Sequence, residues 1–296
     1  MPGAPTPTPR LLPTPDGQRL HLQHWSARTQ AGPLRGTVQI VHGLGEHIGR
    51  YDALARRLNA AGWHVAGHDH RGHGRSSGAR GVLPLQPALL PDLALAIDAV
   101  RASGDAGPRH VLLGHSLGGL IAARFVAEGL MQRPRPWYRE MSGLALSSPA
   151  LDIGLGWPQR ALLAVLRPLM PALALPNGLQ AAWLSRDPAV VRAYEADPLV
   201  HDRITPRLLH FIVSEGAVLR RLAARWRTPT LLLWAGADRC VRPEGSARLA
   251  AAAPAGVVQA QDYPALFHEI FNEPEHAEVE ARLLAWLGAL PAPAPA

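Results

Sequence analysis

No stretch of this chain limits its fold more than Gly114-His115-Ser116-Leu117-Gly118. It matches Gly-x-Ser-x-Gly, with an apolar run at 111–113 leading in and an Ala/Leu-rich run at 120–129 following. A serine so placed sits on a sharp strand-to-helix turn, and a Cβ at either flanking glycine would clash in it. The turn pushes the hydroxyl out at a helix N-terminus, where the dipole and free N–H groups favour developing negative charge. Such a turn needs strands with helices packed over them.

The remaining sequence agrees. Strand-like runs at 20–25, 37–42, 63–68, 111–113, 143–146, 230–234 and 257–261 alternate with helical runs at 51–61, 89–101, 120–129 and 273–287. That alternation predicts an α/β fold with a mostly parallel central sheet and helices on both faces. Residues 150–212 break it, being Pro-rich and helical only in patches, and read as an inserted helical cap above the strand ends. The expected organisation is a flexible segment 1–16, a core of 17–149 and 213–290, the cap 150–212 and a flexible tail 291–296. With 296 residues, 47% hydrophobic and 18% charged, the chain has material for a full core, which excludes global disorder.

Serine is a poor nucleophile unless an imidazole takes its proton and a carboxylate orients that imidazole. Behind this type of turn the chain order is serine, acid, histidine. Asp238 follows the run 230–234 and His268 follows the next strand, so both are expected at the carboxyl edge of the sheet, where open α/β sheets build their sites. Asp152 competes as the acid, and His276, inside the last helix, competes as the base. The oxyanion needs two N–H donors, for which Leu117 and Leu44 are the candidates, the latter from the loop His42-Gly43-Leu44-Gly45. His42 itself reads as structural.

Other features narrow the class. The net charge is +7 and every basic residue is arginine, yet the arginines are scattered and no nucleic-acid motif accompanies them, so no nucleic-acid partner is expected. The single cysteine, Cys240, forbids an intramolecular disulfide and suits a reducing compartment. Residues 1–10 lack the apolar core of a secretory signal, and the apolar stretch 153–176 is cut by arginines and prolines, against a spanning helix. A cytoplasmic location is expected, with peripheral membrane contact through the apolar cap residues 161–170. His68-Asp69-His70-Arg71-Gly72-His73 has spacing that suits a metal, but no distal ligand set accompanies it. It reads as a glycine-rich turn; neither metal nor cofactor is expected.

Longer stretches carry a resemblance. They are His42-Gly43-Leu44-Gly45-Glu46-His47-Ile48-Gly49-Arg50-Tyr51, Asp69-His70-Arg71-Gly72-His73-Gly74-Arg75-Ser76, Gly114-His115-Ser116-Leu117-Gly118-Gly119, Leu184-Ser185-Arg186-Asp187-Pro188, Tyr194-Glu195-Ala196-Asp197-Pro198-Leu199-Val200, Gly236-Ala237-Asp238, and His268-Glu269 with Asn272-Glu273. Over about residues 15–287 the chain resembles the monoacylglycerol lipase / lysophospholipase group of α/β hydrolases. The resemblance implies the α/β-hydrolase fold and a triad of Ser116, Asp238 and His268 with Leu44 and Leu117 N–H groups as oxyanion donors. It also implies a mobile cap, an acyl channel opening toward membrane, and a small lipid ester as substrate. Residues 151–175 match no pattern of the group, and Cys240, two residues after the acid, is similar to the animal monoacylglycerol lipases. The expected reaction converts monoacylglycerol and water to fatty acid and glycerol through an acyl-enzyme on Ser116. A general carboxylesterase or lysophospholipase is the alternative, ahead of a metallo-hydrolase or a non-catalytic ligand receptor.

Overall fold

Strand order places the site. In a computed structural model that describes residues 8–27, 34–84, 88–104 and 106–291, the chain runs β1 (Thr8–Pro13), β2 (Arg19–Trp25), β3 (Gly36–Val41), α1 (Asp52–Ala60), β4 (Trp63–His68), α2 (Leu89–Arg101), β5 (His110–His115), α3 (Leu117–Ala127) and β6 (Gly143–Ser147). There follow α4 (Trp157–Leu169), β7 (Leu175–Pro176), α5 (Pro188–Ala196), β8 (Arg203–Ile204) and α6 (Pro206–Leu222), then β9 (Thr230–Ala235), α7 (Pro243–Ala252), β10 (Val258–Tyr263) and α8 (His276–Ala289). Eight strands form one sheet in the order β1-β2-β4-β3-β5-β6-β9-β10. Pairs β1–β2 and β2–β4 are antiparallel and the others parallel. This is the α/β-hydrolase fold. The chain reverses its direction of travel across the sheet between β3 and β5, and a crevice opens there beyond the strand ends, where such sheets hold ligands.

The central strands read as continuous apolar runs because both faces are covered. On β5, Leu112 packs into the cluster of α2, α3 and α6, while Val111 and Leu113 turn to the opposite cluster with α1 and α8. On β9 the same alternation sends Leu232 one way and Leu231 and Leu233 the other. Trp25, Trp63 and Trp226 are almost fully buried, each burial of an aromatic side chain being worth on the order of 2–3 kcal/mol.

Two expectations need correction. Residues 8–13 of the segment 1–16 are not a flexible lead-in but β1, paired along its length with β2 from Thr8↔His24 to Pro13↔Arg19. An edge strand tolerates proline, Leu12 is buried against Leu20 and Leu22, and a Thr14–Gln18 turn with Gly17 at φ +80° closes the hairpin. Residues 1–7 of that segment, and 292–296 of the tail, lie outside the described residues. Second, the border drawn after Ile212 falls inside α6, an unbroken helix of 17 residues.

The inserted segment obeys local rules. Prolines stand in the first turns of α4, α5 and α6, where no backbone donor is lost. The carboxylate of Asp187 caps α5 by accepting from Ala189 N–H (2.8 Å), and Thr205 caps α6. β7 and β8 form a small antiparallel sheet of their own. The segment is tied to the core by His47 and Asp197 (2.8 Å), by His201 N–H donating to the Gly45 carbonyl (2.9 Å) and by Arg186 on Glu273 (2.5 Å).

Candidate active site

Ser116 ends β5 and opens α3 with φ +53° and ψ −119°. It is one of two non-glycine residues with positive φ among those described, the other being Ser148. A conformation of this kind costs on the order of 1–3 kcal/mol and persists only where its surroundings enforce it. They do so here through three backbone bonds: Ser116 N–H donates to Ser147 O (3.0 Å), and the Ser116 carbonyl accepts from Leu120 (3.1 Å) and Ala150 (2.9 Å). The flanking glycines have no room to be anything else. A Cβ on Gly114 would lie 2.7 Å from the Gly119 Cα, and one on Gly118 would strike the carbonyls of Val41 and His42.

Asp238 leaves the end of β9. Its Oδ1 accepts from the N–H groups of Cys240 (2.7 Å) and Val241 (3.1 Å), and its Oδ2 lies 2.7 Å from Nδ1 of His268. Both side chains are nearly sealed from solvent, at 1% and 4% exposure. Burial opposes the carboxylate, yet the charge and hydrogen bond of His268 and the two backbone donors hold Asp238 below the usual range. Burial likewise opposes the imidazolium of His268, but Asp238, with Glu269 and Glu46 behind it, raises its pKa above the ordinary value. The His268 ring stacks 4.7 Å from that of His115, the residue before Ser116.

A cavity of about 500 Å³ is lined by Ser116, Leu117 and Leu44 together with Cys240 and Val241, whose N–H groups hold Asp238, and Leu162 and Leu166 of α4 with Leu209 and Ile212 of α6 give it apolar walls. The loop that carries Leu44 is braced. Glu46 accepts from Gly43 N–H (2.5 Å) and from the Tyr51 hydroxyl (2.7 Å), while Arg50 bridges Glu46 (2.8 Å) and Glu269 (2.6 and 2.8 Å). Buried Glu269 is held down to about 2, burial being outweighed by Arg50 and the Asn272 amide. This buried network was not foreseen in the sequence; the spacing of Glu46 and Arg50 was its one local sign.

The competing candidates fall elsewhere. Asp152 accepts from Gly154 N–H (2.8 Å) and pairs with Arg248. His276 opens α8 with Nδ1 on the Glu273 carbonyl (2.8 Å) and Nε2 near Arg57 (3.3 Å). His42 accepts from His70 N–H at Nε2 (2.9 Å), so its Nδ1–H donates to the Gly43 carbonyl (2.8 Å); it is structural. In the stretch of metal-like spacing, Asp69 accepts from the Ile48 and Arg75 N–H groups and Arg71 forks onto Asp92 (2.6 and 2.7 Å). Burial lowers His68 to about 4 and His70 to about 3. Among the described residues the one trio with converging ligand atoms is Asp238, Cys240 and His268. Burial and the charge of Asp238 push the Cys240 thiol well up, which disfavours the thiolate that a metal would need, and Nδ1 of His268 is already committed to Asp238.

Comparison with known proteins relates the chain to others. The profile of the family described as serine aminopeptidase, S33, matches residues 32–275. A protein of Mycolicibacterium smegmatis named monoacylglycerol lipase is 34% identical over 274 residues, covering 92% of this chain and 93% of its own. Rat monoglyceride lipase is 31% identical over 289 residues, 92% of this chain and 90% of its own. The crystal structure of the Paleococcus ferrophilus monoacylglycerol lipase superposes with a TM-score of 0.78 at 35% identity, over 92% of this chain and 99% of that one.

Proposed function

This chain belongs to the serine aminopeptidase S33 family of α/β hydrolases, alongside monoacylglycerol lipases, and from that premise we propose that it hydrolyses monoacylglycerols through an acyl-enzyme on Ser116. The observation that carries the reading is the sealed Asp238–His268 pair beside an apolar cavity that Ser116 lines.

In this mechanism Ser116 Oγ attacks the ester carbonyl while His268 Nε2 takes its proton, Nδ1–H staying on Asp238. The N–H groups of Leu44 and Leu117 hold the oxyanion. His268 returns the proton to the leaving glycerol oxygen, and water then attacks the acyl-enzyme with His268 again as base. The leucines of α4 and α6 receive the acyl chain, and the segment from residue 150 through α4 and α5 into α6 acts as the cap. Trp157, Val165 and Leu169 of α4 are among the most exposed large apolar side chains, which supports seating of the cap on a membrane surface. Among the described residues no helix is long and apolar enough to cross a membrane.

The test is a chain-length series of monoacylglycerols, with short esters and lysophospholipids alongside, on wild type and Ser116→Ala. We expect monoacylglycerols to be the best substrates and the variant to lose at least about 10⁴-fold in kcat, with fluorophosphonate labelling abolished. Retained turnover in Ser116→Ala removes the nucleophile assignment; preference for lysophospholipids or short esters moves the substrate to the alternative class.

A further inference from the structure

A second large cavity does not include Ser116 in its wall. A cleft of about 770 Å³ opens between α4 and α6, with Arg160 and Arg167 from the first helix and Arg207 and His210 from the second in its wall. Leu163, Pro168 and Pro171 complete an apolar floor, and among the described residues the lining contains no carboxylate. Arg160 Nε is held by the Leu155 carbonyl (3.0 Å), a neutral partner that fixes the guanidinium without cancelling its charge, and Arg207 Nη1 donates to the carbonyls of Leu83 and Pro84. Glu215, the nearest acid on α6, is engaged by Arg124 (2.7 Å). Burial, and then the charge of Arg167, against an opposing effect of Glu215, lowers the His210 pKa, in keeping with Arg167 and His210 sharing the wall of the cleft.

The periodicity of α4 sets what the cleft adjoins. At about 100° per residue, Arg160, Ala164 and Arg167 share one flank, Trp157 stands at its edge, and Val165 and Leu169 lie beyond, these three apolar residues exposed at 82%, 55% and 72%. Leu162 and Leu166 face the cavity of Ser116, and Leu163 belongs to both walls. The basic flank therefore borders the ridge that would enter the lipid surface, the arrangement by which interfacial helices meet anionic lipid. Guanidinium forks also match phosphate oxygens better than ammonium groups do.

We infer that the α4–α6 cleft binds the phosphate headgroup of an anionic membrane phospholipid, a site separate from the one that takes the substrate ester. A soluble phosphate compound offers the same charge, but the apolar ridge beside the arginines favours a headgroup carried by a membrane. The inference rests on the membrane seating of the cap proposed above and is independent of the acyl-transfer chemistry.

The experiment uses full-length Ser116→Ala protein, so that turnover does not enter, in co-sedimentation with phosphatidylcholine vesicles and with vesicles containing phosphatidylglycerol. Arg160→Gln/Arg167→Gln is compared with Arg10→Gln/Arg282→Gln, which removes the same charge from β1 and α8. Expected is a roughly 30-fold loss of anionic-vesicle partitioning for the cleft pair, an unchanged affinity for phosphatidylcholine, and a much smaller loss for the remote pair. If melting shows that the cleft pair is unfolded, Arg167→Gln alone is expected to lose about fivefold. Equal losses from both pairs mean diffuse charge and overturn the site. Saturable binding of inorganic phosphate that the cleft pair abolishes, with vesicle partitioning unaltered, assigns the cleft to a soluble anion instead. Failure to bind either vesicle removes the membrane seating itself, and the headgroup site with it.

Discussion

Asp238→Asn probes the acid most directly. Asp238 Oδ2 and His268 Nδ1 are 2.7 Å apart in a nearly solvent-free pocket. When His268 takes the proton of Ser116 it becomes a cation, and with charge centres roughly 4 Å apart at an effective dielectric of about 20 the carboxylate stabilises it by about 4 kcal/mol. At about 1.4 kcal/mol per decade, losing that term slows kcat/KM about a thousandfold. Asparagine adds a second fault. Its amide N–H in place of Oδ2 pairs with an unprotonated Nδ1, which sends the ring proton to Nε2, the atom that must accept from serine; the combined loss is expected at about 10³- to 10⁴-fold. The pH profile carries a separate signature. The base works only when neutral and its pKa is raised, so wild-type kcat/KM falls with acid from a point above about pH 6.5, and the variant's limb shifts to lower pH. Hydrolysis of a soluble short-chain ester across pH reads both quantities. A loss under about tenfold with the acid limb unmoved refutes the assignment. So does a larger loss from Asp152→Asn, since Asp152 is bonded instead to Gly154 and Arg248.

Two further outcomes follow from buried charge. Arg50→Met strands Glu46 and Glu269, each about 5% exposed at the side chain, and is expected to lower unfolding stability by about 3–5 kcal/mol in urea titrations at neutral pH. Glu269 is depressed to about 2, so the wild type keeps this contribution above the unfolded glutamate pKa and sheds it as pH falls from about 4.5 toward 2; the gap between the two proteins therefore narrows in acid. Cys240, its thiol pKa pushed up by burial and by Asp238, is expected to react with iodoacetamide at neutral pH at least ~100-fold more slowly than glutathione does, as followed by mass spectrometry; equal rates contradict the assigned environment.

What the sequence made legible tracks the range over which each signal acts. Trp63–His68 and Leu89–Arg101 match their expected bounds, because an apolar run and a 3.6-residue period are written in neighbouring residues. The pairing of Asp238 with His268 follows from two strand ends at one edge of one sheet, and topology supplies that without side-chain detail. Other features depend on distant partners. Thr8–Pro13 contains two prolines and becomes a strand only because β2 offers it a ladder. The span of α6 is hidden because its first turns line the cavity that holds Ser116 while Phe211 and Leu219 join the core, so no change of period marks the border. Arg50 meets Glu269 across 219 positions of sequence, a contact that periodicity cannot disclose.

The fixing of α6 contrasts with the freedom of α4. Among the 13 residues of α4 only Leu163 is buried, whereas α6 sends seven into the interior. Substitutions along α4 therefore remove little packing and tax stability lightly, while the same leucines shape the space above Ser116 and the flank of the arginine cleft. On the proposed function, drift in this one weakly anchored helix is free to alter which esters are accepted and which bilayers are visited. A library confined to residues 157–169 is accordingly the natural place to search for new substrate preferences while the fold and the surroundings of Ser116, Asp238 and His268 stay intact.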